Sequence, residues 1–490
     1  MNEARSNPQT LADRSNYRWY VLAVIFVGTF MGPLDSSIVN LALPEMAKEF
    51  GVGITTIGWV VMAYLLTTSS LLLSAGRLGD IIGHKRIYIF GFVTFTTASA
   101  LCGFAGSIGQ LIGFRVLQAI GATSLFASAP AIITGVFPPH ERGKALGTIG
   151  TSVAIGLTAG PLLGGIIIGA LNWRWIFFIN IPIGIVVVLL SLFIIKESHR
   201  GTAKRFDFLG AATAFGALFS VLLALSMGNT WGWGSTATIG LFAGAVLLTV
   251  LFFTVERKAT EPMLDLTLFH SRLFAAANIS ALINYIALFV VLILIPFYLF
   301  DIFNETPQRA GIVLMSVPLL MGVVAPISGS LSDRIGSRML SSLGLGITAL
   351  ALYGLTWTST ATGVLPIAIL LSLIGLGSGL FQSPNSSAIM GVVPRHRLGI
   401  ASAVQATMRN MGMVLGVAMA GAIVATIAPR GHTDPNLLAA IHTAFIAGAI
   451  AAALGMVASL VRGPAAPLGA GNPEDPDMRG NSGKAHRKSM

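Results

Sequence analysis

Ionisable side chains are scarce in the apolar parts of this chain, so the few that occur there are the natural candidates for chemistry. Of 19 acidic residues, Asp35 alone lies well inside a long apolar run. It follows Gly32-Pro33, where proline interrupts the helical hydrogen-bond ladder and frees a carbonyl. A charge at the centre of a membrane helix costs about 2.5–3.5 kcal/mol on insertion scales, which makes such a residue informative. A carboxylate in a low-dielectric setting can take up and release a proton, or pair with a cationic ligand. Hydrogen bonding to a neighbouring helix is the competing role. Two arginines, Arg115 and Arg409, occupy other apolar runs. Arginine keeps its proton at working pH, so each would set the potential near a titrating carboxylate or an anionic group, or tie helices together. Helical spacing puts Gln118 on the face of Arg115 and Gln405 on the face of Arg409. Tyr64, Gln118, Asn284, Tyr285, Gln382, Asn385 and Arg409 are candidates to line a cavity or to join helices, and His442 reads as a packed residue.

The elements that carry these residues follow from composition. The 490 residues are 54% hydrophobic and only 10% charged. A soluble domain carries about 25% charged residues, so most of this chain's solvent is lipid. The 56 glycines suit close helix packing. A single cysteine, Cys102, excludes a disulfide framework and a cysteine metal site. Apolar runs recur from near 19–43 to near 437–461, each long enough to cross about 30 Å of hydrocarbon as a helix. Fourteen are expected, the seventh and eighth near 208–228 and 236–255.

The loop Gly76 to Arg86, GRLGDIIGHKR, returns as GSLSDRIGSRM from Gly329. Gly76, Asp80 and Gly83 fall on Gly329, Asp333 and Gly336, and Lys85 falls on Arg338. Internal repeats of this kind mark secondary transporters. The acidic residues beside Lys85, Arg86, Arg334 and Arg338 could lock a conformation through charge pairs, or the loops could serve only to orient the chain. The first copy joins spans 2 and 3 and the second spans 10 and 11, an offset of eight. Two six-helix bundles with an inserted pair account for it. The expected layout is a tail at 1–18, a bundle at 19–205, the pair at 206–258, a second bundle at 259–462 and a disordered tail at 463–490.

Of 30 Lys and Arg residues, only Lys48, Arg174, Arg309 and Arg430 fall in the loops opposite the N-terminus. That bias places both termini in the cytoplasm. It also explains the net charge of +11 without a nucleic-acid partner. Trp173, Arg174 and Trp175 fall at the outer boundary, where tryptophan anchors to the interface. Span 5 reads GLTAGPLLGG, with Gly156, Gly160 and Gly164 on one face beside Pro161, suited to a hinge or seal between halves or to tight packing. Neither Gly143-Lys144 nor Gly483-Lys484 sits in a P-loop, so ATP-driven transport is not expected. No metal cluster or nucleophile elbow points to an enzyme.

These motifs together resemble the major facilitator superfamily, and within it the fourteen-span drug:proton antiporters of the EmrB/QacA type, from about residue 18 to 462. GRLGDIIGHKR is similar to the superfamily's loop motif, departing at Ile81 and His84, where arginines are usual. Arg115-Val-Leu-Gln118-Ala-Ile-Gly121 resembles the span 4 motif, with Ala119 for a glycine. GLTAGPLLGG resembles the antiporter motif of span 5, LDSSIVNLALP (34–44) the span 1 motif of the fourteen-span group, and WRWIFFINIPIG (173–184) a further mark of it. The resemblance implies proton coupling through Asp35 and Arg115 and a conformational seal at Gly160-Pro161. The expected protein is an all-α, multi-pass protein of the cell membrane and not an enzyme. It would work as a monomer without a cofactor, on the proton gradient, and export lipophilic, often cationic, compounds. Transport of a metabolite or lipid is the alternative, a non-transporting sensor a weaker one.

Overall fold

In the computed structural model the described residues are 16–138, 141–197, 208–232, 234–256, 266–393, 398–429 and 435–462. The expected tails at 1–18 and 463–490 lie outside them, except for 16–18. Every regular element among the described residues is helical. The helices are α1 Tyr17–Phe50, α2 Ile54–Ile82, α3 His84–Gly103, α4 Ile108–Val136, α5 Arg142–Ala170, α6 Trp175–Phe178, α7 Asn180–Ile194 and α8 Phe208–Trp231. They continue as α9 Thr236–Glu256, α10 Arg272–Phe297, α11 Pro307–Ile335, α12 Ser337–Leu355, α13 Leu365–Gly391, α14 Leu398–Ile427 and α15 Leu437–Val461. Thirteen are long and apolar enough to cross a membrane, α6 and α7 together making one of them. In α8 the described apolar stretch is Ala212–Val221, short of a full crossing. Large apolar side chains such as Phe193, Val246 and Leu350 point outward, the reverse of a soluble protein.

Helix contacts repeat between the two halves. In the first, α3 packs on α4, and α1 on α5; in the second, α12 packs on α13, and α10 on α14. Glycine makes each approach possible. A Cβ on Gly121 would lie 2.7 Å from the Gly91 carbonyl oxygen, and one on Gly377 would lie 2.5 Å from that of Gly344. Gly91 and Gly344 are related by the same sequence offset as Gly76 and Gly329. The repeated loops also share a backbone: Gly83 and Gly336 have φ of 110° and 87°, a region that disfavours any residue with a Cβ. Replacing Gly121 with leucine should wedge α3 from α4, because backbone lies on both sides of the contact. Overpacking of this kind costs about 1–3 kcal/mol. A lowered Tm of the purified protein is expected, and an unchanged Tm would contradict the close approach.

α8 and α9 pack on one another, and α8 touches both α2 and α14. The pair therefore covers a seam between the halves. α1 runs unbroken through Pro33, in keeping with the single span expected near 19–43.

The halves also meet at α5 with α11 and at α2 with α14. These contacts run from the helix ends that carry the α1–α2 and α5–α6 connections, here the distal end, to mid-helix at Ala154 and Gly322. Thr55 Oγ1 donates to the Gly421 carbonyl at 3.0 Å. Lys48 pairs with Asp301 at 3.4 Å across the same end. A cavity of about 10 Å³ is left among Thr55, Met62, Ile293 and Val417, at the lower limit for a single water. At the opposite, basic end two ion pairs form inside the first half. Arg18 pairs with Glu141 at 2.9 Å, and Arg86 with Glu197 at 3.5 Å.

Candidate functional site

The site lies inside the first half, where five helices bring polar groups to one point. α1 supplies Asp35 from the middle of its length. α4 supplies Arg115 and Gln118, one turn apart. Arg115 Nη1 donates to Asp35 Oδ2 at 2.5 Å and to Gln118 Oε1 at 2.7 Å. Asp35 Oδ1 accepts from Gln118 Nε2 at 2.9 Å and from Asn180 Nδ2, at the start of α7, at 2.9 Å. Asn180 in turn donates to Ser99 Oγ of α3 at 3.0 Å. Arg115 Nε donates to the Val60 carbonyl of α2 at 3.2 Å. Its guanidinium lies 4.2 Å from the centroid of the Tyr64 ring.

The pair is sealed, with side-chain exposures of 0% for Asp35 and 1% for Arg115. Two opposite charges 4 Å apart attract by about 4 kcal/mol at an effective dielectric of 20. A buried pair repays its desolvation only when hydrogen bonds fill the remaining acceptor and donor positions, and here both carboxylate oxygens are occupied. Protonating Asp35 would remove an acceptor from Arg115 and an anion from the two amides. One proton would thus loosen contacts that bind α1 to α4 and to α7. That is the chemistry this arrangement can perform.

Asn180 was not singled out in the sequence, although it stands as the polar residue of WRWIFFINIPIG between isoleucines. Ser99 carried no signal beyond being polar in an apolar run. Gln118 and Tyr64, candidates for a cavity, belong to this enclosed network instead.

The other candidates are scattered. Asp80 Oδ1 meets Nε2 of His84 at 3.0 Å, while Lys85 Nζ donates to the Leu192 carbonyl at 2.9 Å and Arg86 faces Glu197. Lys85 and Arg86 thus tie the loop to the end of α7 and to the residues just beyond it. Gly76 lies within α2 with open space beside it. Arg338 is exposed, and the side chain of Asp333 lies outside the described residues. Gly156, Gly160 and Gly164 face α1, against the Phe30 carbonyl, Ser37 and Leu41. The seam to α11 is made one residue further on. The Pro161 carbonyl abuts Gly311, Gly165 abuts the Pro307 carbonyl, and Gly169 abuts the Gln308 side chain. The glycine stripe itself therefore packs within one bundle.

In the second half, Arg409 of α14 approaches Tyr285 of α10, and Gln382 of α13 donates to the Tyr285 hydroxyl at 3.1 Å. Gln405 turns to Ser386 Oγ at 2.5 Å. Asn284 is buried beside this group. Asn385 ties helices instead, donating to the Ala277 carbonyl at 3.0 Å and accepting from Arg462 at 2.9 Å. Burial, with the Arg338 guanidinium nearby, pushes Arg462 down to about 10, so it stays charged at neutral pH. His442 lies 3.2 Å from the Tyr298 hydroxyl. Trp173 is not an interface anchor: it is 3% exposed and donates to Glu49 at 2.5 Å. Trp175, 47% exposed, remains at the surface.

The family model described as Major Facilitator Superfamily matches residues 25–208 and 277–487. The chain is 35% identical over 440 residues to the riboflavin transporter RibZ of Clostridioides difficile, covering 88% of this chain and 95% of that one. It is 33% identical over 400 residues to the multidrug resistance protein Stp of Mycobacterium tuberculosis, covering 81% and 74%. In structure it is similar to a bacterial homologue of the human lysosomal transporter Spinster, solved inward-facing and occupied. The TM-score is 0.67 at 16% identity, over 92% of this chain and 97% of that one.

Proposed function

The chain belongs to the major facilitator superfamily of membrane transporters, and on that premise we propose that it is a proton-coupled antiporter exporting lipophilic small molecules by alternating access. The observation that carries this reading is the enclosed Asp35–Arg115–Gln118–Asn180 network. It places a protonatable group where its charge state governs contacts among three helices. The membrane potential supplies about 2.3 kcal/mol per charge per 100 mV, enough to drive a cycle that carries one proton inward.

With both termini cytoplasmic, as the Lys and Arg bias favours, the distal seam is the outer seal and the conformation is inward-facing. Pro161, Gly165 and Gly311 form that seal, and release of Asp35 from Arg115 on protonation is the step that opens it. The proposed layout keeps bundles at 19–205 and 259–462 and an inserted pair at 206–258. The pair supports assignment to the fourteen-span EmrB/QacA group. We place the protein in the cell membrane, working as a monomer with protons and cargo as its partners and no cofactor. A cationic cargo would reach Asp35 only after Arg115 has let go of it.

Metabolite transport is the second reading, favoured by the 35% identity to a riboflavin transporter. Proteoliposomes with an imposed pH gradient separate the two. Uphill movement of a lipophilic dye against inward proton flow supports export. Proton-linked movement of riboflavin alone would move the function to metabolite transport. Binding without flux of either would leave a sensor.

A further inference from the structure

The groups that a cargo meets between the bundles set its chemistry, if the transport reading holds. Arg115 and Asp35 satisfy one another and are closed off. Arg409 is in the opposite state. It sits near the middle of α14, about 16 Å along the helix from Leu398 at 1.5 Å per residue. It is only half-buried, and no carboxylate pairs with it among the described residues. Its Nε is buried and makes no hydrogen bond.

Its neighbours are also donors. The Tyr285 hydroxyl oxygen accepts from Gln382 Nε2 at 3.1 Å and lies near the Arg409 guanidinium. Gln382 has a second amide proton, and the guanidinium has five N–H groups in a planar fork. Helices α10, α13 and α14 thus converge an uncompensated cation and several spare donors. Amide oxygens of Gln382 and Asn284 are acceptors on these helices, but among the described residues no carboxylate pairs with Arg409 to balance a second cation. A guanidinium fork matches paired oxygens bidentately.

We infer that Arg409, Tyr285 and Gln382 form the cargo site, and that it takes a planar group with paired oxygen acceptors, such as a carboxylate or oxyanion. A fixed cation is rejected there by like charge. This deepens the transport reading by naming the chemical class of its cargo.

Equilibrium dialysis of the purified full-length protein against three matched probes tests it: a naphthalene carboxylate, the corresponding carboxamide and a naphthyl trimethylammonium. The carboxylate should bind at least about tenfold more tightly than the ammonium, the margin expected for a charge-assisted bidentate contact. Arg409→Gln should erase that margin while leaving carboxamide binding within about threefold. Arg409→Lys should keep part of it, since it keeps the charge and loses the fork. Tyr285→Phe, which removes the hydroxyl and keeps the ring, should weaken carboxylate and carboxamide together. Should Arg409→Gln fail to fold, Arg409→Lys and Tyr285→Phe carry the test. An ammonium bound as tightly as the carboxylate, no carboxylate binding at all, or variants that leave carboxylate binding unchanged would overturn the inference. Dialysis needs no gradient, so binding as expected without proton-linked flux would sink the transport reading and leave this site standing.

Discussion

Replacing Arg115 with alanine should abolish proton-linked transport and destabilise the protein by about 3–5 kcal/mol, the cost of leaving one member of a buried ion pair alone. Asp35 would keep two amide donors, Gln118 and Asn180, but lose its counter-charge. A buried carboxylate in that position neutralises by holding its proton. The variant would then be fixed in one protonation state and unable to cycle. Pairing Arg115→Ala with Asp35→Asn should restore much of the Tm without restoring transport, because no charge is left stranded. Thermal unfolding of the two single variants and the double variant gives the coupling directly. Additive effects on Tm would show that the two side chains do not act as a pair.

The second large effect is expected at the distal seam. Gly311→Val puts a branched side chain where the Pro161 carbonyl lies. Relief requires α5 and α11 to separate, and both contacting groups are backbone or proline. Overpacking of about 1–3 kcal/mol shifts a two-state balance roughly five- to 150-fold. The distal end should therefore open in most molecules, and transport should fall by a similar factor. The only native thiol, Cys102, is buried, so an introduced Val417→Cys can report the change. Val417 lines the small cavity between α2 and α14. Its labelling by a water-soluble thiol reagent should be slow in the parent and fast with Gly311→Val. Equal rates would mean that this contact does not hold the end shut.

The largest parts of this architecture were legible in the residues. A long apolar run reads as a membrane helix because lipid leaves the backbone no other way to satisfy its hydrogen bonds. The repeated loop gave away the two halves, and the structure adds the Gly91–Gly121 and Gly344–Gly377 contacts as further equivalents. Asp35 and Arg115 stood out because charge is costly in apolar runs, and they lie 2.5 Å apart. Asn180 did not stand out, since an amide in an apolar helix costs far less than a charge and so carries less information.

The faces of α5 were not legible. Gly156, Gly160 and Gly164 form one four-residue stripe, and Pro161, Gly165 and Gly169 form another one residue later. A rotation of about 100° per residue separates them, and nothing in the residue types says which stripe meets α1 and which meets α11. Only the packed helices assign the first to the bundle interior and the second to the seam. Trp173 misled for a related reason. A tryptophan at a membrane boundary is usually an anchor, but Glu49 and Arg174 draw this one inward, where the Arg174 guanidinium sits 4.3 Å from its ring centroid.

Proton coupling through Asp35 is the central claim, and one measurement reaches it most directly. Wild type and Asp35→Asn would be reconstituted into liposomes holding a pH-sensitive dye, and a transported compound added with and without an imposed gradient. Wild type should couple its movement to protons. Asp35→Asn, which keeps the size and one acceptor oxygen of the side chain, as a protonated Asp35 would, and loses the titrating group, should still exchange compound for compound and show no proton movement. Full proton-coupled transport by Asp35→Asn would contradict the claim and move the coupling site elsewhere in the chain.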